Sequence, residues 1–125
     1  MAGKIIADTL EHSTAGSLDT QYVVNGSAKV WISLTVAAAI ESSLNVSSVT
    51  DVGTGEFDPQ ITNSMSDALY CCNTGVDLTG HVVRSGATEE RTTSSFKVIS
   101  YLTHSTGASE SAIDGLHNAS FGDLA

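Results

Sequence analysis

Four histidines, fourteen carboxylates and an adjacent pair of cysteines are the side chains of this 125-residue sequence best suited to acid–base, metal or redox chemistry. Their spacing does not gather them into a site. His12, His81, His104 and His117 stand singly, without the close pairing that puts two imidazoles on one metal, so each is read as a surface or strand histidine. Cys71 and Cys72 are neighbours. Zinc and redox motifs separate their thiols by two residues or more to bring both sulfurs to one side, whereas adjacent residues of a strand face opposite ways. One thiol buried and one facing solvent or a partner is the expectation. Asp51 and Asp58 flank a glycine-rich turn, but calcium wants about six or more oxygens and nothing in the turn repeats. The sequence has no Gly-x-Ser-x-Gly elbow and no phosphate-loop lysine, and Gly53-Thr54-Gly55 lacks the third glycine and following helix of a dinucleotide site. A pair of glycosidase carboxylates would need an aromatic-lined cleft, and the chain has one Trp. The sequence is therefore read as a non-enzyme with no catalytic residues, cofactor or metal.

The elements that would position any site are short. Segments rich in Val, Ile, Thr and aromatics recur between clusters of Gly, Ser, Asn and Asp, the spacing of an all-β protein. The expected strands are Tyr22–Val24, Lys29–Thr35, Ile40–Thr50, Gly55–Thr62, Ala68–Asn73, His81–Arg84, Ser95–Thr103 and a weaker Ala112–Phe121. In Thr35–Leu44, TVAAAIESSL, Val36, Ile40 and Leu44 recur every fourth residue, which permits helix or strand. The Ser-rich continuation, without helix formers or a capping glycine, favours strand for its second half. In the hairpin NVSSVTDVGTGEFDPQIT, Phe57, Pro59 and Ile61 share one face. Pro59 lacks a ladder donor, which implies an edge or a bulge, and the parity switch between Val46 and Val49 implies a bulge near Ser47 and Ser48. The strand from Phe96 to Thr103 is apolar on both faces, Phe96, Val98 and Leu102 against Ile99 and Tyr101. A second copy of the chain or a covering loop would account for the outer set.

One domain is the expectation at this length. With 6% aromatics its core is thin, so part of the apolar burial is expected from a neighbouring subunit. A net charge of −9 is a poor match to a phosphate backbone and argues against nucleic acid. No apolar run has the length of a signal peptide or a membrane span, so cytosolic synthesis and no membrane insertion are expected. Residues 1–27 are small and polar apart from Lys4–Leu10. They read as a flexible tail or as an attachment arm, ahead of a domain over residues 28–125.

The segment SLNVSSVTDVGTGEF (Ser43–Phe57), followed by MSDALY (Met65–Tyr70), resembles a module widespread in tailed-bacteriophage virion proteins of the tail-fibre and head-decoration type. VNGSAKVW (Val24–Trp31) is similar to that module's lead-in, and IIADTL (Ile5–Leu10) to the short leaders of such proteins. The likeness spans roughly residues 4 to 72. Val52, Pro59 and Cys71-Cys72 depart from it. The resemblance implies a β-sandwich on the outside of a phage particle, commonly a homotrimer, and brings no catalytic set.

The expectation is therefore an antiparallel, jelly-roll-like β-sandwich with an extended N-terminal arm, serving as a trimeric capsid decoration protein on the virion surface after synthesis in the bacterial host cytoplasm. Lys4, Ile5, Ile6 and Leu10 are the expected attachment residues, and Trp31, Ile99 and Tyr101 the expected subunit interface. Its partners would be its own copies and phage capsid or tail proteins. The alternative is a short tail-fibre or head-fibre subunit that binds the host surface or its polysaccharide, with Asp51–Gly55 and Asn73–Gly80 as binding loops. Chain length favours decoration, because extended chain spans at most about 3.5 Å per residue and little is left for a shaft.

Overall fold

The structure, a computed structural model, describes residues 3, 5–14, 16–35, 37–76, 84–104, 107–110 and 115–125. The side chains of residues 12, 84, 85, 102–104 and 107–110 lie outside that description. The elements run β1 (Thr9–His12), β2 (Gly16–Asp19), α1 (Thr20–Gly26), β3 (Ala28–Thr35), β4 (Ile40–Leu44), β5 (Val46–Gly53), β6 (Glu56–Ile61), β7 (Cys71–Val76), β8 (Arg84–Glu89), β9 (Lys97–His104), β10 (Gly107–Glu110) and β11 (Gly115–Phe121).

Two antiparallel sheets pack face to face, the expected all-β sandwich. The first has the order β4-β3-β11-β7. In the second, β8 lies along Lys97–Leu102 of β9. The other edge of β9 is shared by β6, at Val98 and Ile99, and β10, at Tyr101–His104. Strand β5 closes that sheet beyond β6. β1 and β2 form a separate two-stranded sheet.

The pleat decides what is buried. Val30, Ile32 and Leu34 of β3, Leu116 of β11, Phe57 and Ile61 of β6, Val98 of β9 and Phe96 just before it project into the space between the sheets. Each such side chain contributes about 1.5–3 kcal/mol by leaving water. Met65 and Tyr70, from the irregular β6–β7 connection, complete this core. The expected inward face of the β6 arm is present, with Pro59 buried beside Phe57 and Ile61. That arm is interior, not an edge. The Ile61 amide donates to Ser94 on the β9 side, and period-two alternation turns the Pro59 nitrogen the same way. The β6–β9 register runs on past it, with Gln60 facing Ser95 in the alignment of Phe57 with Val98, so the missing donor leaves a gap in the ladder at Pro59, whose carbonyl still accepts from the Phe96 amide at 3.4 Å. The bulge expected near Ser47 and Ser48 appears as a register shift between Val46 and Ser48.

Between β4 and β5 the chain changes sheets in one residue. Asn45 has φ 59°, a conformation that Asn tolerates better than most residues. Its Oδ1 accepts from the Asn63 backbone amide at 2.7 Å, and its Nδ2 donates to the Asn63 carbonyl at 3.0 Å. The segment Ile40–Thr50, expected as one strand, is therefore two.

Tyr70 fastens the loop before β9. Its hydroxyl lies 3.0 Å from the carbonyl oxygens of both Thr92 and Ser95, its ring meets Phe96 edge-on at 6.4 Å, and Arg91 donates to its carbonyl at 2.8 Å. Burial, with a smaller contribution from Cys72, pushes the phenol pKa up to about 12 against an opposing effect of Arg91. A phenol whose folded pKa is raised stabilises the fold fully below pH 10, and that stability is lost as pH rises from 10 towards 12. Tyr70→Phe is expected to cost about 1–2 kcal/mol at pH 8 by removing the donor to the Thr92 carbonyl, the Ser95 carbonyl keeping its bond from the Thr92 amide. The deficit should shrink at pH 11, where only the parent protein has a phenol at this position to ionise; urea unfolding at both pH values measures this.

Tyr22–Val24, expected as strand, is helix. Val23, Val24, Asn25 and Gly26 are weak helix formers, and the N-cap Asp19 makes no side-chain capping bond. The turn is held from outside: the Thr20 amide donates to Asp8 at 2.8 Å and its hydroxyl to Ala7 at 2.6 Å. At the other end the Ser27 hydroxyl donates to Val23, and the Lys29 ammonium to the Val24 carbonyl. The N-terminal arm is accordingly not extended throughout, because these bonds fold Thr9–Gly26 into a hairpin and a helical turn.

Candidate functional site

The N-terminal segment carries apolar side chains that the rest of the chain leaves uncovered. Ile5 is 91% exposed, Ile6 82%, Leu10 49%, Tyr22 60% and Val24 57%. Ile5, Ile6, Leu10, Val23 and Val24 line one groove of about 420 Å³ with Ala7 and Thr20. A two-stranded hairpin is marginal in water, and a seven-residue helix is below the length that sustains itself. No residue of α1 is buried. The segment thus presents an apolar surface with almost no core of its own, whereas the core of the sandwich, among the described residues, runs from Val30 to Leu116. Of the expected attachment residues, Ile5, Ile6 and Leu10 come together on this groove; Lys4 lies outside the described residues. Val23 and Val24 were missed, because β-branched neighbours read as strand.

Of the three expected interface residues, Trp31 lies on a different sheet from Ile99 and Tyr101, which share one face of β9. Trp31 is half-buried on the outer face of the first sheet. Ile99 is only 3% exposed within the single chain, on the face of β9 opposite Val98, so little of its side chain is left for a partner. Tyr101 is half-buried two residues further on.

A second concavity lies beside Trp31. Cross-strand register sets Leu44, Trp31, Ala119 and Asn73 in one row, and Ser42, Ser33, His117 and Gly75 in the next. Because Ala119 and Gly75 are small, the outer face sinks between Trp31 and β7 into a trough of about 460 Å³. A Cβ added at Gly75 would have no atom within 4 Å, so the trough is open above it. Ser33 donates to Glu41 at 2.8 Å at its margin. Sequence alone did not reveal this trough, since it depends on which strands pair and in what register.

The two sheets meet edgewise where β7 passes β8, through a polar cluster. The Thr74 and Thr88 hydroxyls are 2.7 Å apart, and Asn118 Nδ2 donates to them at 2.8 and 3.1 Å. Ser120 donates to Asn118 Oδ1 at 2.9 Å, and Cys72 Sγ lies 3.3 Å from Ser120. Cys71 is exposed while Cys72 faces this cluster, the alternation expected of adjacent strand residues. Every member is a hydroxyl, amide or thiol, so the cluster has the character of a structural seam.

Among the described residues no group of three or more His, Cys, Asp or Glu side chains could hold a metal ion. No helix among them is long and apolar enough to cross a membrane. His81 lies outside the described residues, as do the side chains of His12 and His104; His117 stands at the trough. Of the expected binding loops, Asp51–Thr54 is exposed at the β5–β6 turn, Asn73–Val76 belongs to β7, and residues 77–80 are outside the described set. No protein-family model, curated protein or solved structure matches the chain.

Proposed function

We propose that this chain is a structural protein of a bacteriophage virion, a homotrimeric decoration protein that joins the outside of the capsid through its N-terminal segment. The observation that carries the proposal is the exposed apolar groove of Ile5, Ile6, Leu10, Val23 and Val24, on elements too short to stand alone. The likeness of Ser43–Tyr70 to phage virion modules supports the choice of assembly. Burial of five aliphatic side chains would contribute of the order of 5–10 kcal/mol per subunit before the costs of ordering and association. A subunit that binds only the mature shell stabilises it by mass action. Three linked arms multiply weak contacts through their effective concentration. No bond is made or broken in this role, and no cofactor takes part.

A short fibre subunit that contacts the host surface is the second reading. One observation favours it: the chain's single Trp stands beside a concavity on an outer sheet face. Particles assembled with and without the protein separate the two. Decoration predicts that bare shells lose their contents at lower temperature or lower ionic strength, while adsorption to host cells is unchanged. The fibre reading predicts lost adsorption and unchanged shell stability.

A further inference from the structure

We propose that the trough beside Trp31 is a binding site for a neutral oligosaccharide. This does not depend on where in a virion the protein sits, and it uses none of the residues of the N-terminal segment.

The inference starts from charge. The chain carries fourteen acidic residues and a net charge of −9, yet none of the residues lining the trough is Asp, Glu, Lys or Arg; Glu41 stands at its margin, accepting from Ser33. An uncharged ligand is matched to that surface. A nucleic acid is not.

The shape narrows the class. Trp31 supplies one apolar wall; Ala119 and Gly75 supply a floor without bulk. Ser33, Asn73 and His117 place a hydroxyl, an amide and an imidazole around it. Binding sites of this kind combine apolar walls with a few polar groups that fix orientation. The ring of a pyranose has an apolar C–H face to lie on the indole and hydroxyls around its edge for the amide and imidazole. The distance from β3 across β11 to β7 is two inter-strand spacings, about 10 Å, which suits more than one sugar ring. An extended peptide is served less well. Peptides that dock on sheets take main-chain hydrogen bonds from an unpaired edge, and β3 and β11 are each paired on both sides.

Because Trp31 is the chain's only Trp, its fluorescence reports this site alone. The full chain is titrated with maltohexaose, cellohexaose, chitohexaose and mannohexaose, each up to about 10 mM to reach affinities near the millimolar range. At least one is expected to change the emission saturably. Gly75→Val should then weaken that binding by about tenfold or more, since its methyl groups enter the trough, with little change in thermal unfolding temperature because the added Cβ meets no atom within 4 Å. If Gly75→Val does not fold, Ala119→Val on the neighbouring strand blocks the same space. No saturable change with any of the four sugars would overturn the proposal. So would binding that survives the blocked trough, or emission that depends on protein concentration as copies associate over Trp31.

Discussion

Replacing Ile5 and Ile6 together by Asp is expected to leave a folded, soluble protein that joins particles at least about 100-fold less well. The two side chains are almost fully exposed in the single chain, so their loss removes no packing from the sandwich, and its unfolding temperature should stay where it is. Against a partner surface the same change removes two apolar contacts of about 1.5–3 kcal/mol each and adds two carboxylates that would have to be desolvated. Deleting residues 1–27 is the coarser version of the test. The core cluster is drawn from Val30 to Leu116, so the remainder should fold and fail to incorporate. Incorporation is read by sedimenting particles after mixing and quantifying the bound chain. Undiminished binding by both variants would remove the N-terminal segment from the account.

The second large effect is on the fold itself. Gly86→Ala is expected to destabilise the protein by about 2–3 kcal/mol in urea unfolding, the upper part of the range for overpacking. A Cβ built at Gly86 would lie 2.5 Å from Thr74 Cγ2 and 3.2 Å from the Thr74 carbonyl oxygen. Thr74 cannot swing away without breaking its bonds to Thr88 and Asn118. This identifies the cause of the strain and predicts its remedy. Thr74→Ser removes Cγ2 and keeps the hydroxyl, so adding it to Gly86→Ala should recover about half of the loss or more. Equal stability of the single and double variants would mean that the seam between β7 and β8 is looser than its hydrogen bonds imply.

Gly86 also marks what the sequence conceals. β8, RSGATE, has no large apolar residue and therefore no alternation to read, yet it pairs with β9 over six residues. Its glycine is there because Thr74 of β7 passes close by. By contrast β3 and β6 bury one whole side of their pleat; β3 was expected as a strand over Lys29–Thr35, and in β6 the Phe57, Pro59, Ile61 face was legible residue by residue. The end of β7 lay three residues beyond its expected position because Tyr70 belongs to the core from a loop. α1 was hidden because hydrogen bonds from Thr20, Ser27 and Lys29 hold a sequence that local propensity would not. Of the surface features, the apolar Ile5, Ile6 and Leu10 stood out by composition alone. The Trp31 trough did not, since Asn73, Gly75, His117 and Ala119 become neighbours only through the pairing of β11 with β3 and β7.

The functional account rests on one physical claim, that this chain works by fitting its N-terminal apolar surface against other protein surfaces. Imaging purified particles of the phage proposed to carry this chain, at a resolution that traces β-strands, tests it most directly. The account predicts three sandwiches around a local threefold axis on the outer shell, each with Ile5, Ile6, Leu10 and the α1 valines covered by protein. A virion without the chain would contradict it, as would a sandwich attached through another face with that groove left open to solvent.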